Sequence, residues 1–222
     1  MSAPVPYPSD RAQIEESYHT PLRRIGLRVL ARLMEWATDL QPRQLNYSDV
    51  TQQLAVGGAF RRSQIKHLKQ RGVTAVVDCR LEASDDGVAL GQAGIEFLHL
   101  PTLDRHGFTY AQMQGGVNWV LEHVATGGRA FLHCEHGVGR GPLMTCAVLV
   151  AQGHTAPEAL RIVRRARWQA LPNDRQLAAL LDFERAWRGS HAAVHDAPVL
   201  DDRADGLGST QPARLGDDVA GA

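Results

Sequence analysis

His133-Cys134-Glu135-His136-Gly137-Val138-Gly139-Arg140 lies between an apolar stretch, Ala130-Phe131-Leu132, and an apolar run from Pro142 to Ala151. The pattern predicts a strand, a tight glycine-bearing loop and a helix N-terminus. Such a loop turns successive backbone N–H groups inward at the positive end of a helix, which makes an anion site. Arg140 adds a planar fork able to hold two phosphate oxygens at once. Cys134 stands at the mouth of that field, the place for a nucleophilic thiolate. A phosphate cradle with a thiolate at its centre is suited to attack on phosphorus. The plainer alternative is a buried thiol in a strand-to-helix turn, with Arg140 an ordinary surface charge.

The chain has 222 residues and zero formal net charge. That length suits one domain with a tail and a substantial core. Balanced charge gives no support to nucleic-acid binding. Three cysteines are too few and too irregularly spaced for a disulfide framework or a zinc site, and they fit a reducing cytoplasm. No apolar run reaches the length of a membrane span. Residues 1–20 carry Pro4, Pro6, Pro8, Asp10, Glu15 and Glu16 and lack the apolar segment of a signal peptide. A cytoplasmic location is expected, and the Ala-, Arg- and Gly-rich composition hints at a bacterial source.

Working outward from the loop, the segment Tyr110 to Ala125 places Met113, Val117, Val120, Leu121 and Val124 on one helical face, ending at Gly127-Gly128. Strands are expected at Leu54–Gly58, Thr74–Arg80, Glu96–Leu100 and Arg129–His133, the third stopped by Pro101. Helices are expected at Arg62–Arg71, Leu143–Ala151, Ala156–Arg167 and Asp174–Trp187. The run from Leu143 is apolar nearly all round and should be the central buried helix. Glu82, Asp85, Asp86 and Gly87 read as a loop. Strands alternating with helices predict an α/β domain with a central, mostly parallel sheet flanked by helices. Its ligand site should lie at the strands' carboxyl ends. Residues 21–46 form an extra N-terminal amphipathic helix and linker, with Leu22, Ile25, Val29, Leu33, Trp36 and Leu40 in one stripe. Residues 1–20 are expected to be flexible, 47–188 to be the folded domain, and 189–222 a disordered tail.

The loop resembles the His-Cys-x5-Arg signature of the cysteine-based protein tyrosine phosphatases, in particular their dual-specificity branch. The resemblance extends to Gln53–Gly58, Gly72–Asp78, His99-Leu100-Pro101 and Leu171-Pro172-Asn173. It implies a tyrosine phosphatase-like fold and hydrolysis through a phosphocysteine. Cys134 would be the nucleophile and Arg140 the binder of phosphate and stabiliser of the transition state. Asp104, about thirty residues before the cysteine, would be the general acid and then base, though an ordinary loop aspartate is the plainer reading. His133, Glu135, His136, Gly137, Val138, Gly139 and Gly141 would complete the phosphate-binding loop. His133 is read equally well as a satisfied core histidine. Asn173 would brace that loop, or cap the following helix, and Asp78 with Arg80 would tie loops together. Cys79 and Cys146 are either small buried hydrophobes or disulfide partners for Cys134. One departure stands out: the family usually has Ser or Thr after the loop arginine, to help sulfur leave, and here the residue is Gly141.

For substrate, Glu135 and His136 in the loop argue against a multiply charged head group. A phosphorylated protein or small phosphomonoester is the first reading, making the chain a dual-specificity or tyrosine protein phosphatase. The alternative is a lipid phosphatase, acting on a substrate such as phosphatidylglycerophosphate. Arg23, Arg24, Arg28 and Arg32 beside the apolar stripe of residues 21–40 would give it peripheral membrane contact. A phospho-ligand-binding pseudophosphatase is a third reading, resting on Gly141. No cofactor and no metal are expected, since thiolate, arginine and aspartate complete the chemistry. Aryl phosphate hydrolysis should therefore be unchanged in excess chelator; activity that falls and returns with added metal would contradict this.

Overall fold

A computed structural model of the chain describes residues 44–195, together with Gly26, Val29 and Leu33. Those three residues are helical, as the N-terminal pattern predicts, and they are exposed. The remainder of residues 21–40, the flexible segment expected at 1–20 and the tail beyond 195 lie outside the described residues.

The sheet has five strands, β1 (Tyr47–Asp49), β2 (Leu54–Gly57), β3 (Ala75–Arg80), β4 (Glu96–Thr102) and β5 (Ala130–His133). Their order is β1-β2-β5-β3-β4. Only β1 and β2 pair antiparallel; β2, β5, β3 and β4 are parallel. Within residues 44–195 the helices are α1 (Ile65–Gln70), α2 (Gly87–Gln92), α3 (Tyr110–Ala125), α4 (Arg140–Ala151), α5 (Ala156–Ala166) and α6 (Asp174–His195), with a 3-10 turn at Arg62–Gln64 before α1. The α/β class and mostly parallel sheet are as expected.

Alternation along the strands assigns the two faces. Leu54, Val56, Ala75, Val77, Ala130 and Leu132 face the larger core, under α3 to α6. Ala55, Val76 and Phe131 face the other way, onto Ile65, Leu68, Leu90 and Ile95. Burial on both faces explains why β3 and β5 read as continuous apolar runs. The chain returns to insert β5 between β2 and β3, so the end of β5 opens at a topological switch point. α4 follows it and is buried from Arg140 to Val150, the central helix that its composition predicts.

Local chemistry sets the element ends. Thr109 with Gln112, and Thr155 with Glu158, form capping boxes at α3 and α5. Several boundaries differ from expectation. β4 runs through Pro101 to Thr102; it is an edge strand, where a missing N–H need not break a ladder. β1 and α2 were not legible, being three and six residues long. α2 starts where Asp86 accepts the Ala89 N–H. α6 continues past the expected boundary at 188, to His195.

Leu149, 1% exposed within the larger core, should cost about 2–5 kcal/mol when truncated to alanine. Val88→Ala on α2, where the side chain is 72% exposed, should stay within about 0.5 kcal/mol. Urea unfolding of the two variants checks this contrast.

Candidate active site

The loop between β5 and α4 is built by holding its carbonyls from outside. Glu135 O accepts the Ala59 N–H at 2.8 Å, and Val138 O accepts the Leu171 N–H at 2.7 Å. Between them, His136 O and Gly137 O accept from Arg167, at 2.8 and 2.6 Å. Peptides are planar, and none here is cis, so each N–H points opposite to its carbonyl. The N–H groups of His136, Gly137, Val138 and Gly139 therefore turn to the inner side of the loop. Gly137 has φ +69°, and a Cβ there would lie 2.4 Å from the Gly57 carbonyl. Only glycine fits that close pass against β2. Cys134 sits at the start of the loop, 4% exposed.

Arg140 opens α4 and is 2% exposed. Its Nη1 and Nη2 donate to Glu82 at 2.7 and 2.6 Å. Nη1 also donates to Thr102 O at 2.9 Å, and Nη2 lies 3.2 Å from Asp104 Oδ1. Nε is buried and has no hydrogen-bond partner. The fork expected to hold two phosphate oxygens is thus taken up by Glu82, in a guanidinium on which the charge of Cys134 also bears. The Arg140 hydrogen bonds hold the Glu82 carboxyl at about 2, well below the usual carboxylate range. Sequence reasoning read Glu82 only as part of an acidic loop. Its signal was an acid just beyond the carboxyl end of a buried strand at the switch point.

Asp78 and Arg80 form the centre of a hydrogen-bonded ion-pair network. Arg80 Nε and Nη2 bond both Asp78 oxygens, at 2.9 and 3.0 Å. Arg80 also reaches Asp85 at 2.7 Å and Glu135 at 2.9 Å. Asp85 in turn meets His133 Nε2 at 2.7 Å. The other ring nitrogen of His133 is 3.2 Å from Cys134 O, so this buried histidine links the network to the cysteine backbone. Asp78, Asp85 and His133 bring metal-ligand atoms within 4.8 Å of one another. The Arg80 guanidinium already serves both carboxylates as their cation. Asp85 was another member that the sequence did not single out.

Asp104 lies on the loop after β4, its side chain 63% exposed and beside Arg140. That loop is pinned to the start of α6. Asn173 Nδ2 donates to Arg105 O at 2.8 Å, and Gln176 Nε2 donates to His106 O at 3.2 Å. Asn173 Oδ1 accepts the Gln176 N–H at 3.1 Å, so it also caps the helix. Its side chain thus braces the Asp104 loop instead of the phosphate-binding loop. Gln176 makes the contact to the latter: its amide lies 2.9 Å from where a Cβ on Gly139 would sit.

The structure thus sets Arg140 beside Asp104 and brings Arg140 and Arg167 within electrostatic reach of Cys134. The family profile for the dual specificity phosphatase catalytic domain matches residues 56–186. The chain belongs to this family. It is 31% identical over 94 residues to the human "Phosphatidylglycerophosphatase and protein-tyrosine phosphatase 1", covering 41% of this chain and 47% of that protein. It is 23% identical over 146 residues to human "Dual specificity protein phosphatase 1", covering 64% and 38%. The match thus spans less than half the length of each of these relatives. Among solved structures, PTPMT1 in complex with PI(5)P superposes with TM-score 0.63 at 22% identity, over 66% of this chain and 99% of that one. Tk-PTP in its active form gives 0.59 at 25% identity, over 63% and 97%.

Against the phosphatase pattern, Gly141 sits where α4 passes close to the end of β5. A Cβ there would lie 3.1 Å from both Cα and C of His133, so a side chain fits if the backbone gives by a few tenths of an ångström. The nearest replacement hydroxyl on α4 is that of Thr145, which donates to Gly141 O at 3.0 Å.

The Glu82 clamp yields a prediction. Glu82→Gln should lower kcat/KM on aryl phosphates roughly a hundredfold, the scale of an ångström's misplacement of a binding group. The wild-type carboxyl protonates only as pH falls to about 2, so the clamp is complete throughout pH 4 to 8. The acid limb of the pH–rate profile should therefore keep its position in the variant while its height falls. A displaced limb would assign that titration to Glu82.

Proposed function

We propose that this chain hydrolyses a lipid-borne phosphomonoester at a membrane surface, through a phosphocysteine. Cys134 Sγ attacks phosphorus in line, forming an S–P bond as the ester O–P bond breaks. Arg140 Nε and the inward loop N–H groups take up the charge on the equatorial oxygens. Asp104 protonates the leaving oxygen. It then takes a proton from the water that breaks the S–P bond, releasing inorganic phosphate and the thiolate. Asp78, Arg80 and His133 hold the loop's shape, and Asn173 holds the Asp104 loop.

The observation that carries the lipid reading is three exposed apolar side chains, read here as a rim, each next in sequence to a strand end or to a residue that holds the phosphate-binding loop. Leu81, Leu103 and Trp168 are 55%, 53% and 59% exposed. Leu81 follows the carboxyl end of β3, and Leu103 that of β4. Trp168 follows Arg167, which grips the phosphate-binding loop. Such side chains at a phosphate site suit a substrate whose phosphate emerges from hydrocarbon. The name of the 31%-identical human relative supports this. Val29 and Leu33 of the N-terminal stripe, 54% and 53% exposed, also support peripheral contact. No helix among the described residues is long and apolar enough to cross a membrane. Hydrolysis of phosphoprotein is the second reading, favoured by the relatives that are dual specificity protein phosphatases.

The test compares vesicles containing phosphatidylglycerophosphate with a phosphotyrosine peptide. The vesicle substrate should be hydrolysed with the higher kcat/KM, and Leu103→Ser with Trp168→Ser should lower only that rate. A preference for the peptide, unchanged by the rim substitutions, would overturn the lipid reading. On aryl phosphate, Cys134→Ser should be inactive, and Asp104→Asn should lose ~10²–10⁴ in kcat. With Gly141 in place of a hydroxyl residue, a phenol burst should precede a slower steady state. A burst with no later turnover would instead favour the pseudophosphatase reading.

A further inference from the structure

Arg167 is a second buried arginine at the phosphate-binding loop, and the chemistry above does not use it. It follows α5 in an extended conformation and is 3% exposed. Its Nε donates to Gly137 O at 2.6 Å, one Nη to His136 O at 2.8 Å, and the other reaches Ser48 Oγ at 3.4 Å. Among the described residues it faces no carboxylate; the charge that bears on it is that of Cys134. This differs sharply from Arg80 and Arg140, each of which has carboxylate partners.

A guanidinium buried among carbonyls, with no counter-ion, is stabilised by little besides an anion nearby. Burial pulls its pKa down, and the Cys134 charge opposes that. The geometry adds a second effect. One planar fork holds two consecutive carbonyls on the outer side of the loop. Because the peptides are planar and trans, this aims the N–H groups of Gly137 and Val138 at the inner side. The fit is tight, since a Cβ on Gly137 would lie 2.8 Å from Arg167 Nη2.

We propose that Arg167 is a positioning residue that preorganises the anion cradle, aiming the Gly137 and Val138 N–H groups at the bound phosphate while adding an uncompensated positive charge behind them. The inference rests on the phosphate-binding part of the reading above and on neither lipid specificity nor turnover. Lysine at this position would keep the charge and lose the fork.

The experiment measures tungstate affinity by calorimetry for wild type, Arg167→Lys and Arg167→Met, with thermal melting to verify folding. Tungstate is the probe because it is a tetrahedral oxyanion that needs no turnover. Arg167→Met should bind at least tenfold more weakly, and Arg167→Lys should recover only part of that loss. In wild type, the amide proton resonances of Gly137 and Val138 should move downfield on adding tungstate. That shift does not depend on any variant folding. A folded Arg167→Met that binds within twofold of wild type overturns the proposal and leaves the phosphatase reading intact. Unmoved Gly137 and Val138 amides in tungstate-bound wild type overturn it as well. Tungstate binding with the predicted losses, but no hydrolysis of any phosphomonoester, would sustain the role of Arg167 and sink the proposed activity. A wild type that binds no tungstate overturns both.

Discussion

The outward anchoring of the carbonyls from Glu135 to Val138 is the constraint on which the site depends. Left free, those carbonyls would compete with phosphate for the loop's interior. The Ala59 and Leu171 N–H groups and the Arg167 fork remove them to the far side. What remains inside is a row of donors at the N-terminus of α4, with Cys134 at their edge. The anchors come from β2's following loop, from the end of α5 and from the segment before α6. The loop between β5 and α4, six residues from Cys134 to Gly139, therefore needs most of the domain to keep its shape.

Charge is placed around that loop with different degrees of freedom. Arg140 has two of its nitrogens committed to Glu82, and its Nε uncommitted. Arg80 is fully engaged with Asp78, Asp85 and Glu135, and its charge serves the scaffold. Buried ion pairs of this kind add little net stability once desolvation is counted. Their value here is geometric, since they tie the ends of β3 and β5 and the following loops into one unit. In the proposed mechanism this rigidity lets the loop meet the phosphate already formed.

The Asp104 loop belongs to a different class. It is exposed, carries a positive φ at Arg105 (62°), and is joined to α6 by the side chains of Asn173 and Gln176. Gln176 touches both this loop and Gly139, so it places the proposed proton donor relative to the phosphate cradle. Outside these polar elements, Leu81, Leu103 and Trp168 are exposed apolar side chains next in sequence to the ends of β3, β4 and to Arg167. Proposed substrate choice is then a matter of these side chains, and proposed chemistry a matter of the loop.

The sequence by itself determined the class and the heart of the site. Apolar runs mark β2, β3 and β5, which are buried on both faces, and a period-3.6 stripe marks α3, which buries one. α3 was legible to its ends, from Tyr110 to Ala125 before Gly127. The spacing from Cys134 to Arg140 is local, so a strand, loop and helix could be read directly. Only the tertiary structure decided what lies far apart in sequence. Glu82 and Arg140 are 58 residues apart, and Arg167 reaches a carbonyl 30 residues away. No local pattern encodes such pairs, because they form only when the strand order brings β3, β5 and the end of α5 to one edge. The same holds for Asn173, which a motif could place near the site but only packing could assign to the Asp104 loop. Gly141 was visible as a departure from pattern, and its close pass over the backbone of His133 exists only in three dimensions.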